Sequence, residues 1–470
     1  MVKNVLFTCR NLLASVKNSL LFSFPLVLFQ ILNTISSYSV AMIIAHLGTR
    51  FSAAYSIINS VIMSTNIFFF GILSAISIFI SYELGSKTYK NIQDIFNTSI
   101  YLSLLLTICN IILYLLFPKC LEMLSQPVDI VVIVRDYFAI ASFGILPYFG
   151  GIFLLQILMA IKKTNISFYT NVIRFFLTLS FVFILCSGLA GIKSLGISGA
   201  SIATVIVNWI MLPILLYFVI SSNLMIKASK IFSKLNFNAF FKIIRIGIPI
   251  GFTLIIELIL HLLNSIFAGQ INIIQQAIYS LFLQSLVAIV VIPFAMCQCT
   301  SVSIANVCGS TNSIQAIKNI LIADLIVALL IVTIISGFLL LISNHIAHIF
   351  FPDLIFMSSK DKHDITIVFR LTSIFLIIET IRLIVAAGLR GMQDVNFSLI
   401  SNIISFLIIG AFLSKFLAFN YGFNSKGLIL GELMAVVCST CLLSLRLLYV
   451  IKRKKESEYM AYRTDEGICR

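Results

Sequence analysis

The sequence predicts an all-α membrane protein with twelve transmembrane helices in two six-helix lobes, related by a pseudo-two-fold axis along the membrane normal. Three observations carry this expectation. Of the 470 residues, 60% are hydrophobic and 10% charged, too few charges to cover the surface of a soluble protein. The apolar residues gather into twelve runs long enough to cross a bilayer, for which a helix needs about 20 residues. The second half of the chain also repeats polar landmarks of the first. This composition excludes soluble enzymes, nucleic-acid binders and disordered chains. Runs of this length indicate helices rather than a β-barrel.

The runs are 19–45, 52–82, 95–118, 133–159, 166–190, 196–220, 240–266, 275–307, 317–343, 365–388, 397–419 and 427–451. The first follows Lys3, Arg10 and Lys17, as the core of a signal peptide would. It is too long for that and lacks a small-residue cleavage site, so it counts as span 1. With the N-terminus inside, the inner segments carry twenty Lys and Arg and the outer loops nine. That excess places both ends in the cytoplasm. It also makes the net charge of +15 a matter of topology rather than of nucleic-acid binding. The expected organisation is a cytoplasmic N-terminus (1–18), an N-lobe (19–220), a polar linker or short surface helix (221–239), a C-lobe (240–451) and a cytoplasmic tail (452–470). The run Lys452-Arg453-Lys454-Lys455 opens that tail and is expected at anionic headgroups. Cysteines such as Cys186, Cys297 and Cys438 lie in apolar segments without metal-ligand spacing and read as small apolar residues.

The repeat has a constant register. Pro25 and Pro249 open spans 1 and 7, and Gly85 and Gly309 end spans 2 and 8, each pair 224 apart. Asn165/Asn396, Ser167/Ser398, Asn171/Asn402 and Ile173/Ile404 are identical at an offset of 231. Six spans return the chain to its starting side, so the halves enter the bilayer in the same direction. Transporters built on such parallel repeats hold substrate between lobes and expose it to each side alternately.

Taken together, these residues resemble the MATE family of multidrug and toxic-compound exporters, in its NorM-like bacterial branch. The resemblance covers about 15–450. It rests on Arg245-Ile-Gly-Ile-Pro-Ile-Gly-Phe-Thr-Leu-Ile-Ile-Glu257, Ile292-Pro293 with Gln298 and Gly309, Glu379 followed by Gly388-Leu-Arg-Gly391, and Gly199-Ala-Ser-Ile-Ala203. It implies a monomer in the bacterial inner membrane that exchanges inward-moving Na⁺ or H⁺ for a small organic substrate, with no cofactor. Two departures stand out. Val40 occupies a span-1 position where family members commonly carry an aspartate, and Arg174 and Thr178 follow Asn171 on span 5. The N-lobe carboxylate site of the family is therefore missing.

A charge at the bilayer centre costs several kcal/mol and marks function by default. Glu257 and Glu379 match positions where NorM-like relatives hold the coupling cation. Their oxygens suit Na⁺, and as carboxyls they could carry H⁺ instead; two acids bonded between helices is the bland alternative. His261 follows Glu257 by four residues on the same face and serves either as a proton relay or as a polar contact. Arg382 follows Glu379 by three. It could keep Glu379 ionised, compete with a metal cation, meet a substrate anion, or simply neutralise charge. Arg174 has no nearby acid in sequence; Asp136 is one candidate partner, and alternatively Arg174 with Arg382 would give the cavity positive spots that suit an anionic or zwitterionic substrate. Asn171 and Asn402 are expected to support the site. Asp324 and Glu432 are weaker candidates, with Glu432 placed near the inner half of its helix as a structural residue.

Among 57 aromatics, 41 of them Phe, some should line an apolar cavity. No Walker A, Gly-x-Ser-x-Gly or His-Glu-x-x-His sequence is present, which argues against ATP hydrolysis and membrane-embedded enzymes. His345, His348 and Asp353 flank an outer loop and are not expected to bind metal. The function expected is a cation-coupled exporter of small organic compounds. The alternative is a relative that exports an anionic or zwitterionic metabolite or flips a lipid-linked oligosaccharide.

Overall fold

A computed structural model of the chain describes residues 2–188, 194–222, 236–350 and 359–468. Among these the protein is helical, with twelve helices long and apolar enough to cross a membrane. They are α1 (Val2–Ala45), α2 (Thr49–Gly85), α3 (Tyr89–Met123), α4 (Val128–Ala160), α5 (Thr164–Ser187), α6 (Gly196–Ile220), α7 (Phe237–Ile271), α8 (Ile273–Ser310), α9 (Ile314–Leu341), α10 (Ser359–Gly391), α11 (Asn396–Asn420) and α12 (Asn424–Ile468). A short helix, Ser343–Phe350, precedes α10. The apolar runs locate all twelve, and the helices overshoot most runs by a turn because their polar ends stay helical. Most of the proposed linker 221–239 and the loop residue Asp353 lie outside the described residues.

Two helices change their winding. A 3₁₀ turn at Ser142–Gly144 interrupts α4, and α11 winds as a π-helix over Ile403–Gly410 and again over Phe416–Asn420. Such departures from α geometry recur at functional sites.

The residues group into two compact units. One, the N unit, is Phe24–Gly251; the other, the C unit, joins Met1–Ser23 to Phe252–Arg470. The divisions fall inside α1 and α7, beside Pro25 and Pro249, where proline removes a helical hydrogen bond.

The repeat is visible as geometry inside each unit. In the N unit, Asn171 Nδ2 donates to the carbonyl of Phe29 at 2.8 Å; in the C unit, Asn402 Nδ2 donates to the carbonyl of Thr253 at 3.4 Å. Phe29 and Thr253 stand 224 apart, the register of the prolines. The turn after α4 is closed by Lys163 N–H donating to Leu158 O and Lys162 N–H to Met159 O. The turn after α10 is closed by Asp394 N–H to Leu389 O and Gln393 N–H to Arg390 O, the same Schellman pattern shifted by 231.

In the N unit the first half of α7 packs on α2 through Gly247 and Gly251, a small-x-x-x-small pair that lets helix backbones approach closely in a membrane. A Cβ on Gly247 would lie 2.6 Å from Ile72 O, and one on Gly251 2.7 Å from Phe68 O. In the C unit, Gly391 at the end of α10 leaves the same kind of gap, 2.7 Å from Ser301 O of α8. Elsewhere in each unit buried aromatics pack edge to face, as Phe69–Phe149 in the N unit and Phe282–Phe375 in the C unit.

Gly247→Val should lower stability by about 1–3 kcal/mol, since the new side chain meets backbone that cannot rotate away. Gly337→Ala in α9, where nothing lies within 4 Å of the new methyl, should be neutral or slightly stabilising. Thermal unfolding in detergent checks both; a Gly247→Val protein as stable as the parent would refute the close approach.

Candidate functional site

Among the described residues Arg382 is the largest fully buried side chain of the C unit, 1% exposed. One helical turn separates it from Glu379 on α10, so their heads meet without distortion. Nε donates to Glu379 Oε2 at 2.8 Å and Nη2 to Glu379 Oε1 at 2.5 Å. Nη1 lies 2.8 Å from Glu257 Oε1 on α7, an ion-pair contact outside hydrogen-bond geometry. The guanidinium also lies over the Phe406 ring, 5.2 Å from its centre. Phe406 sits in the first π-helical stretch of α11.

Asn402 ends the α-helical turn just before that stretch. Its Nδ2 donates to Glu257 Oε1 at 3.0 Å as well as to Thr253 O, and its Oδ1 accepts from Ser439 Oγ of α12 at 3.0 Å. Helices α7, α10, α11 and α12 therefore converge on one charge cluster. Both Glu379 oxygens are engaged, as is Glu257 Oε1. Among the described residues Glu257 Oε2 makes no hydrogen bond or ion pair, and the Glu257 side chain is 19% exposed.

A second cluster adjoins it along α7. His261 Nδ1 lies 3.3 Å from Glu432 Oε2 of α12. Glu432 Oε1 accepts from Tyr279 Oη of α8 and from Asn264 Nδ2 at 2.8 Å. Asn264 Nδ2 also reaches Ser414 Oγ at 3.0 Å. Glu432 is wholly buried and stands eight residues past Asn424 at the start of α12.

The sequence-derived residues thus divide into three groups. Glu257, Glu379, Arg382 and Asn402 meet in one network. His261 shares the face of Glu257 but pairs with Glu432. Asn171 and Arg174 lie in the N unit, where Asn171 holds α1 as described. The candidate partner of Arg174 is corrected: Asp136 lies at the exposed surface beside Arg135, 3.9 Å away, while Arg174 Nη2 donates to Asn208 Oδ1 of α6 at 2.7 Å. Asp324 is buried and accepts from Thr300 Oγ1 at 2.6 Å. The sequence reading missed Asn264, Tyr279, Ser439 and Asn208. Each is a polar side chain inside an apolar run, and Asn264 lies seven residues, two turns, past Glu257 on the same helix face.

Among the described residues no three His, Cys, Asp or Glu side chains are grouped to hold a metal ion. Between Glu257 and Glu379, the carboxyls read from the sequence as carrying Na⁺ or H⁺, the structure holds the guanidinium of Arg382. With both carboxyls ionised, this trio of groups carries one net negative charge.

The MatE family model matches residues 25–184 and 249–415. Over 446 residues the chain is 22% identical to a protein of Xylella fastidiosa (strain 9a5c) whose name is probable multidrug resistance protein NorM, covering 94% of this chain and 93% of that protein. A protein of the same name from Agrobacterium fabrum is 24% identical over 345 residues, 72% of this chain and 73% of that one. The fold matches the outward-facing conformation of a multidrug resistance MATE family transporter of the MOP superfamily with a TM-score of 0.85 at 17% identity, covering 94% of this chain and 97% of that one. It also matches the eukaryotic MATE transporter AtDTX14 with a TM-score of 0.81 at 17% identity, covering 95% and 99%. Two matched segments, one in each half and together spanning well over half its length, establish that the chain belongs to the MatE family of membrane transporters.

Proposed function

We propose that this chain is a proton-coupled antiporter that exports small organic compounds from the cytoplasm by alternating access, acting as a monomer in a bacterial inner membrane with both termini inside. The names of its relatives support multidrug efflux. The carrying observation for the coupling is the single unengaged oxygen, Glu257 Oε2, left in a cluster whose other carboxylate oxygens are taken by Arg382 and Asn402. One free oxygen suits a proton. A hard cation such as Na⁺ needs several oxygen ligands at once, and the Arg382 guanidinium fills the space where they would converge.

Protonation of Glu257 cancels its charge and weakens its hold on Arg382 Nη1. Glu379 keeps Arg382 through the bidentate pair. Asn402 still donates to Glu257 and to Thr253 O, and still accepts from Ser439. A change in charge on α7 is thereby passed to α10 through Arg382 and to α11 and α12 through Asn402, all within the C unit. That is the link a coupling ion requires: the charge state of one carboxyl biases the packing of four helices.

The test is transport by purified protein in liposomes, with pH and Na⁺ gradients imposed separately. A pH gradient alone should drive efflux. Efflux driven by Na⁺ and not by a pH gradient would rule out the proton. Glu257→Gln, a change that keeps the Asn402 contact but cannot ionise, should lower gradient-driven efflux at least tenfold while leaving the protein folded and inserted. Full efflux by this variant would remove Glu257 from the coupling step.

Arg382→Gln opens the space between the carboxylates. It should cost about 3–5 kcal/mol of stability, because two buried acids lose their counter-charge. Added Na⁺ should restore part of that stability and stimulate efflux, a response the parent lacks. Thermal unfolding and efflux rate against Na⁺ concentration at fixed pH check this. If neither moves by more than about twofold across the titration, Arg382 does not set ion selectivity.

A further inference from the structure

The N unit also carries an arginine at mid-membrane depth, but it is balanced differently. Arg174 is the eleventh of 24 residues in α5, roughly 15 Å from the start of the helix and roughly 20 Å from its end. It continues a polar stripe, Ser167, Thr170 and Asn171, whose members are all buried. At Arg174 the stripe becomes partly exposed. The five acids of this unit lie elsewhere. Glu83 and Glu122 close α2 and α3, Asp94 lies near the start of α3, Asp129 near the start of α4 pairs with Arg50, and exposed Asp136 lies beside Arg135. Among the described residues no carboxylate pairs with Arg174, whereas Arg382 of the same chain faces two. A cation without a counter-charge at this depth costs several kcal/mol, and among the described residues no carboxylate supplies one.

The surroundings of Arg174 hold its head in place. Pro147 has no N–H to offer the carbonyl of Phe143, one turn before it in α4. Trp209 Nε1 donates to Phe143 O at 3.1 Å, and Asn208 Nδ2 donates to Gly144 O at 3.4 Å. With its amide nitrogen so engaged, Asn208 presents Oδ1 to Arg174 Nη2 at 2.7 Å. The Tyr148 ring lies beside the guanidinium, 5.7 Å from centre to Cζ. A guanidinium has five N–H donors in a planar fork; Asn208 takes one, and the rest can grip a carboxylate or sulfonate bidentately. The adjoining aromatic ring can stack on a flat scaffold.

We propose that Arg174, positioned by Asn208 and flanked by Tyr148, is the anion-binding subsite of the transported substrate, so that the exporter takes aromatic organic acids or zwitterions through their carboxylate or sulfonate. This rests on the efflux reading for its physiological role but not for its test. The depth of Arg174 excludes a phospholipid headgroup as the source of the anion. The substrate's own charge thus replaces the missing protein counter-ion and is desolvated with it.

The test compares two xanthene dyes of similar shape, anionic fluorescein and cationic rhodamine 123, binding to purified protein by fluorescence anisotropy. The parent should bind fluorescein. Arg174→Gln should weaken that binding at least tenfold and Arg174→Lys by less, with rhodamine 123 bound as tightly as by the parent or more so. Asn208→Asp keeps the arginine but gives it a protein carboxylate, and should abolish fluorescein binding while raising the thermal midpoint. That variant stays informative if Arg174→Gln proves unstable. Unchanged fluorescein binding in both variants, or no fluorescein binding by the parent, overturns the proposal. If the parent binds and exports rhodamine 123 but not fluorescein, the efflux reading stands and this inference falls. If fluorescein binds through Arg174 yet no gradient drives its export, the inference stands and the efflux reading falls.

Discussion

The C unit depends on a cation that never leaves the protein. Arg382 is buried to 1% exposure and bridges two carboxylates from different helices. Without it, Glu257 and Glu379 would be like charges in a medium that screens poorly. With it, one helix supplies both members of a bidentate pair and α7 is drawn in as the third party. The cluster fixes how α7 and α10 approach, and Asn402 extends the constraint to α11 and α12. A buried ion pair of this kind is weak evidence for stability, since well-packed apolar residues often serve as well. Its retention here, around a carboxyl with one oxygen left free, fits a role in changing state better than a role in holding one.

The fold was legible in the sequence because bilayer physics leaves few options. Runs of apolar residues this long must be helices, and twelve appear where twelve were counted. Pro25 with Pro249 and Asn171 with Asn402 marked the repeat, and the two asparagines do the same job, each in its own unit. The changes of winding were only partly legible. Nothing in the apolar stretch Ile403–Gly410 signals a π-helix, whereas Gly144 and Pro147 do mark the place of the 3₁₀ turn at Ser142–Gly144, because Pro147 cannot donate to the Phe143 carbonyl.

The site was legible in part, for a related reason. Ionisable residues inside a membrane stand out, so Glu257, Glu379, Arg382, His261 and Arg174 could be named. The i,i+3 spacing even specified the Glu379–Arg382 pair. Partners from other helices could not be read this way. That Arg382 also meets Glu257, that His261 meets Glu432, and that Arg174 rests on Asn208 rather than Asp136 depend on which faces of distant segments meet. Neutral side chains such as Asn264, Tyr279 and Ser439 carry no charge to betray them, although a buried amide or hydroxyl in an apolar helix is costly enough to be a signal.

The two units show how one scaffold can carry two electrostatic designs. In both, an asparagine near the start of the fifth helix of its repeat donates to a carbonyl one turn past a proline, so the backbone frame is held alike. The residues just beyond it differ. In the C unit that asparagine also reaches Glu257, and the neighbouring charges cancel down to one. In the N unit the next turn brings Arg174, with an amide and a ring about it and no acid. The frame is conserved between halves because it is fixed by helix geometry and a shared hydrogen bond. The charge it holds is set by single side chains, which can change without disturbing that bond. In the N unit Val40 and Arg174 bring no negative charge to this frame, and among the described residues no carboxylate pairs with Arg174, while the C unit sets two carboxylates about Arg382.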